Sequence, residues 1–461
     1  MKSSLLIAAA VAMAAVFVAP SSSGAPAESP VCAACVKATM EKLAGDALRG
    51  RQCGTADENA AAKYLADTLP GLGVKGALAG DAYLQPVQLL TPTYAALPTL
   101  ELTANGATLK LVHGQEMLAG AAPPSLSAPV IVVTAAVSSS DEVRGKVVVY
   151  DVAQADLRGV STLVSEGAAA VISLASDGML QRWSFLAGTP PGRTEVVGGV
   201  QRPAPAQAAT IFVKADTLAA VARFGGGEAR IDAPRGEPVT RTTYNVIGVR
   251  HGRARDADQH AVLLSAHYDH LGVRNGVTFH GANDDASGTA AVMEFARILG
   301  PGKAPRRTVY FAMFGCEEEG GLGAQYFLTH TPTAVTDIAA NLEFEMIGVD
   351  DPKQPGFLML TGWDRSNLGA TLKAHGARIG PDLYPEQNFF QRSDNYQLAL
   401  QGVVAQTVSA WPIPPTYHAA SDDLAHVDLD FMGKVIGSLI EPILWLLNSD
   451  FQPAWNPGKR P

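Results

Sequence analysis

Apolar and polar positions fall into three textures along the chain. Residues 36–48 and 58–69 carry apolar side chains at helical spacing, separated by Arg49-Gly50-Arg51 and a turn at Gly54, so the opening segment reads as helical. From about residue 98 the texture changes to short β-type runs at 99–103, 130–133, 146–152 and 208–213, with Gly, Pro and Ser clustered between them. One helix–strand pair, 161–167 and 168–174, interrupts that series, and the Gly/Pro-rich stretch 224–238 reads as its exit. Beyond residue 243, apolar runs at 244–250, 261–266, 308–314, 340–346, 356–360 and 403–407 alternate with helical spacing at 287–299, 321–329, 365–379 and 431–447. Such alternation predicts an α/β fold with a mixed, mostly parallel central sheet and helices on both faces, interrupted by an inserted β-rich unit. The expected division is 1–27, 28–97, 98–238 and 239–461.

Composition narrows the function classes. The chain has 461 residues, 47% of them hydrophobic, and a net charge of -9. That balance excludes general disorder, and with no concentrated Lys/Arg patch it argues against nucleic-acid binding. Lys2, an apolar run over 5–19 and Ala25-Pro26-Ala27 have the form of a cleavable export signal over 1–27. The run is shorter than the roughly 20 residues of a membrane span, and no later segment is long enough to insert stably. The expected location is therefore secreted or periplasmic. The cysteines are Cys32, Cys35, Cys53 and Cys316. Export favours a disulfide among the first three, whereas Cys316 reads as a free buried thiol.

The candidate chemistry sits at the ends of the apolar runs. Ser265-Ala266-His267-Tyr268-Asp269 offers an imidazole with a carboxylate two residues on, able to hold its other ring nitrogen. Gly281-Ala282-Asn283-Asp284-Asp285-Ala286-Ser287-Gly288 fits both a helix-capping turn, with Ser287 as the cap, and a close approach of the Asp284 carboxylate to two cations. In Cys316-Glu317-Glu318-Glu319, adjacent acids follow a buried strand, which suits one metal ligand beside one proton acceptor. Glu343 and Glu345 share one face of a strand, where an acid is costly unless compensated. Tyr417-His418 completes the set on a loop. In parallel sheets, sites lie beyond the carboxyl ends of the strands, where His267, Glu317, Glu318 and Glu345 fall.

Taken together these stretches, with Asn245-Val246-Ile247-Gly248 and Arg392-Ser393-Asp394, resemble the di-zinc aminopeptidase family over about 245–445. That family includes bacterial leucyl aminopeptidases, glutamate carboxypeptidase II, glutaminyl cyclase and the transferrin receptor. The insert is similar to a protease-associated domain through 144–148 and 166–172. The resemblance implies two zinc ions per chain: His267 and Glu345 on one, Glu318 and His418 on the other, and Asp284 bridging. It implies Glu317 as general base, Asp269 as the partner of His267, Tyr417 as a donor to the tetrahedral oxyanion, and a cis peptide between Asp284 and Asp285. Two positions depart from the family pattern: Glu345 stands where Asp is commoner, and Cys316 where Gly is usual. The expected activity is release of N-terminal residues from peptide substrates. Carboxypeptidase or dipeptidase action is the alternative, and a non-catalytic receptor-like role the least favoured.

Overall fold

The computed structural model describes residues 30–120, 125–135, 140–188, 191–199, 209–410 and 414–461. The expected export signal, 1–27, lies outside them.

Among the described residues, ten strands form the larger sheet. Its centre is parallel: Val309–Phe314, Ala261–His267, Ile338–Phe344 and Val404–Ser409 lie side by side in one direction. Antiparallel strands flank this centre, with Val239–Arg250 on one side and Leu358–Leu360 on the other. Strand Ala261–His267 is buried along its whole length, so it reads as a continuous apolar run. Its alternate side chains serve two cores. Val262, Leu264 and Ala266 pack with helices Ala33–Leu43, Ala56–Thr68, Ser287–Leu299 and Leu429–Asn448. Ala261 and Leu263 face Phe314, Phe327 and Leu398, under helices Leu322–Phe327 and Asn395–Leu400. Helices therefore cover both faces, as the alternation implied.

The opening segment is not purely helical. Leu84–Thr91 is a strand that pairs antiparallel with Val239–Arg250, from Leu84 opposite Val246 to Thr91 opposite Val239. Its polar–apolar alternation is weak and contains Pro86, which hid it among helical signals. The stretch expected to be an irregular exit also contains a strand, Glu228–Asp232, with only Ala229 and Ile231 turned inward.

The insert has an eight-stranded sheet of its own, with Glu228–Asp232 between Thr99–Ala104 and Leu126–Val133. Its core gathers Leu100, Val130, Val147, Ile172, Ile211 and Ile231. The chain leaves the larger sheet along Leu84–Thr91 and returns along Val239–Arg250, so the two connections are hydrogen-bonded to each other. A short strand of the insert, Glu195–Val196, also pairs with Leu89 and Leu90.

Candidate metal centre

Parallel strands that end at a common edge bring their following residues together. Here His267 ends one central strand, and Glu317 and Glu318 follow Phe314 on its neighbour. Glu345 follows Phe344 on the next, and His418 lies on the loop beyond Ser409. Asp284 arrives from the turn before helix Ser287–Leu299, through a cis peptide to Asp285. That turn is fixed by Asp422, whose two oxygens accept from Asn283 N and Asp284 N at 2.8 and 3.1 Å. Asp285, rather than Ser287, takes the first free N–H of the helix, accepting from Gly288 N at 2.8 Å. Ser287 instead donates to Asn283 O at 2.7 Å and accepts from Ile347 N at 3.0 Å, joining the turn to the Glu345 segment.

The two oxygens of Asp284 face different histidines. Oδ1 lies 3.2 Å from His267 Nε2, and Oδ2 lies 3.2 Å from His418 Nε2. Ligand atoms of His267, Asp284 and Glu345 lie within 4.8 Å of one another. Glu318 Oε2 stands 3.1 Å from His418 Nε2. The six residues expected as ligands or base thus converge.

Asp269 stands 3.6 Å from His267 Nδ1, longer than a hydrogen bond. Its oxygens accept from Glu317 N and Glu318 N at 2.9 and 3.3 Å, so it orients the acidic loop as much as the imidazole. Tyr417 stacks on His418 with ring centroids 3.8 Å apart, and its hydroxyl accepts from Arg392 Nη2 at 3.2 Å. A small cleft opens beside the cluster, lined among others by Asp284, Glu317, Glu345, Phe389, Arg392 and Tyr417.

Two residues escaped the sequence reading. His270 Nδ1 lies 2.8 Å from Glu318 Oε1 and 3.9 Å from Asp284 Oδ2, so His270, Asp284 and Glu318 form a second group able to hold a cation. Its place after His267 and Asp269 was the available signal. Arg51 is fully buried and donates to four carbonyls, of Leu43, Tyr268, His280 and Gly281, at 2.5–3.0 Å. It ties the opening segment to both sides of the site. Burial lowers its pKa to about 10, which leaves it charged at neutral pH.

The cluster has the electrostatics of a cation site. Burial disfavours ionisation of Asp284, but His267 and His418 outweigh it and hold that carboxyl well below its ordinary value. Burial and Asp284 likewise oppose ionisation of Glu318, yet His418 and His270 bring it to about 2. Glu317 is pushed well above the carboxylate range by burial, against the pull of His267. Burial raises Glu345 to about 7. Burial would also lower His418, but Glu318 and Asp284 raise it to about 9, so without a cation protons are drawn into the cluster instead. Both ring nitrogens of His267 and of His270, and Oε1 of Glu318, are buried without a partner in hydrogen-bond geometry. His270 and Glu318 are close, but off the line a hydrogen bond needs. Buried polar atoms left so are costly, and convergent N and O donors suit a borderline-soft divalent ion. The residues fit zinc.

Residues 245–441 match the family model described as Peptidase family M28. Over this stretch the chain is similar to the M28 peptidases. Among curated proteins, leupeptin-inactivating enzyme 1 of Streptomyces exfoliatus is 31% identical over 165 residues, 35% of this chain and 34% of that protein. Aminopeptidase YwaD of Bacillus subtilis is 27% identical over 198 residues, 41% of each. The matched part thus spans well under half the length of these relatives. Among solved structures, an aminopeptidase from Aneurinibacillus sp. strain AM-1 aligns with a TM-score of 0.62 at 20% identity, covering 94% of this chain and 96% of that one. A zinc aminopeptidase from Bacillus subtilis gives 0.55 at 19% identity, covering 92% and 97%. These likenesses establish the fold.

One expectation about the cysteines is overturned. Cys316 is not a free thiol: it is bonded to Cys53, and Cys32 is bonded to Cys35. Sequence offered no way to pair residues 263 positions apart, since strand order alone brings them together.

Proposed function

We propose that the chain is a zinc-dependent aminopeptidase that acts outside the cytoplasm on peptides with a free amino terminus. The observation that carries this reading is the chemistry of the cleft wall. Asp284 and Glu345, two of the residues that would hold metal, line it beside Glu317, so a peptide bound there would meet metal donors and a proton-carrying carboxyl together. His267 and Glu345 would hold one zinc ion, Glu318 and His418 the other, and Asp284 would bridge them. Zinc held there would supply Lewis acidity to the water and to the scissile carbonyl.

The protein's own groups handle the protons. Glu317 is half-buried at the cleft, accepts a proton from the attacking water and delivers it to the leaving amine. Asp269 holds the Glu317 backbone, which limits where that carboxylate can reach. Tyr417, stacked on His418 at the cleft wall, would donate its hydroxyl to the developing oxyanion. Two disulfides support an oxidising compartment. Among the described residues, no helix is long and apolar enough to cross a membrane. The insert, 98–238, is read as a protease-associated domain beside this cleft.

Arg392 supports a second reading. Its guanidinium also lines the cleft, where it could meet a substrate carboxylate in carboxypeptidase or dipeptidase action. Free, N-acetylated and C-amidated leucyl peptides separate the two, assayed with metal-quantified protein before and after chelation. An aminopeptidase cleaves the free and C-amidated peptides, spares the acetylated one and stops on chelation. Cleavage of the acetylated peptide with sparing of the amide would replace this reading with carboxypeptidase action.

A further inference from the structure

The loop carrying Glu317 and Glu318 is gripped from outside the ligand set. Cys316, one residue before Glu317, adopts φ +61°, a left-handed conformation uncommon for a residue with a side chain. Its disulfide runs to Cys53, and both cysteines are buried. Three residues beyond Cys316, the Glu319 carboxylate is held by both guanidinium arms of Arg241: Oε1 accepts from Nη1 at 3.0 Å and Oε2 from Nη2 at 2.6 Å. The same Nη1 donates to Cys53 O at 2.9 Å. A ring therefore closes from Cys316 through Cys53 and Arg241 to Glu319, with Glu317 and Glu318 as the two residues it brackets. Thr194 of the insert enters this ring, donating to Glu319 Oε2 at 3.2 Å and accepting from Arg241 Nη2 at 3.3 Å. Arg241 Nε completes the set by donating to Thr91 Oγ1 at 3.1 Å.

Neither Arg241 nor Glu319 lines the cleft or belongs to either ligand group. Asp269 already holds the loop's N–H groups, so the ring adds a constraint of a different kind. It fixes where the loop backbone sits relative to the opening segment and the insert. We propose that the Cys53–Cys316 bridge and the Arg241–Glu319 pair act as one clamp that positions the Glu317 carboxylate, with Thr194 making the insert part of the clamp. The proposal rests on Glu317 being the base. A base carried on a flexible side chain is sensitive to its backbone, because displacement by about 1 Å costs on the order of 100-fold in rate.

The test uses the full chain, zinc-loaded, on an unblocked leucyl peptide, with Glu319→Gln, the pair Cys53→Ala with Cys316→Gly, and all three together. Glycine tolerates positive φ, so the second variant removes the bridge without backbone strain. The clamp predicts that each lowers kcat by about tenfold or more. KM stays within about threefold of native, in keeping with loss of an effect felt only in the transition state. Zinc content is unchanged. The combined variant loses little beyond the larger single effect, because breaking one ring twice is not additive. Thr194→Val lowers kcat severalfold.

Native kcat with a lowered melting temperature would make the ring a structural staple and overturn the proposal. Loss of zinc alongside kcat would show that the ring supports metal binding instead, and additive losses would show two separate supports. An unchanged Thr194→Val enzyme would remove the insert from the clamp. If the cysteine variant does not fold, Glu319→Gln decides alone, since it leaves the bridge intact. A native protein that cleaves nothing would remove the peptidase reading; an active native protein with native-like variants would remove only the clamp.

Discussion

Arg51→Met puts a number on how the opening segment supports the centre. The substitution keeps an unbranched apolar stem and deletes every donor. Three carbonyls lose their partner, those of Leu43, Tyr268 and His280, whereas Gly281 O keeps Ala286 N at 3.2 Å. Each buried acceptor left unpaired costs about 1–3 kcal/mol, or roughly 3–9 kcal/mol gross. Relief of guanidinium burial returns several kcal/mol, as do waters that reach the vacated space. The loss of attraction to Asp269, Asp422, Asp285 and Asp284 acts in the opposite direction. The net expectation is a loss of about 3–5 kcal/mol, the usual range for removing one side of a buried charged arrangement. Urea unfolding of native and variant protein at matched zinc measures it, followed by both intrinsic fluorescence and zinc release so that a non-two-state transition is recognised. Because Tyr268 follows His267 and Gly281 precedes the Asp284 turn, zinc release should move to lower urea with the protein signal. A shift under about 1 kcal/mol with unchanged zinc release would mean that those carbonyls find other donors and that Arg51 does not hold the centre.

His270→Ala should weaken binding of one zinc ion by about 10–100-fold while leaving the other near native, since His270 meets Glu318 and Asp284 but not Glu345. Competition with a chromogenic chelator reads the two affinities, and native values for both would remove His270 from the centre. Burial raises the Glu58 carboxyl well above its ordinary 4.5, with a smaller contribution from Asp269 in the same direction. The folded state thus binds the Glu58 proton more tightly than the unfolded state, so this group's stabilisation is full below about pH 4.5 and is lost as pH rises through the folded pKa. Melting temperatures from pH 4 to pH 8 should fall less steeply in Glu58→Gln than in native protein, and parallel profiles would contradict this.

The sheet and the site were legible for related reasons. A fully buried strand such as Ala261–His267 has to be written as an apolar run, and the polar residues at its end then stand out. Helix Ser287–Leu299 agrees with its predicted bounds because its turn residues and apolar content change abruptly at both ends. Leu84–Thr91 was obscured because half its residues face away from the core and Pro86 interrupts the pattern. Glu228–Asp232 was obscured because two apolar residues are too few to show a period. At the site, local motifs carried His267, Asp284, Glu318 and Glu345. His270 and Arg51 owe their places to contacts across the fold, 48 and 230 positions away in sequence for Glu318 and Gly281. The Cys53–Cys316 bridge belongs to the same class.

The proposed chemistry depends on Glu317 moving protons at a two-zinc centre held by its neighbours. Zinc per chain and turnover on a free leucyl peptide, measured together for native protein and Glu317→Gln, decide whether it does. Both proteins should hold about two zinc ions, and turnover should be lower by about 10²–10⁴-fold in the variant. Near-native turnover with zinc retained, or one zinc ion in the active native enzyme, would contradict it.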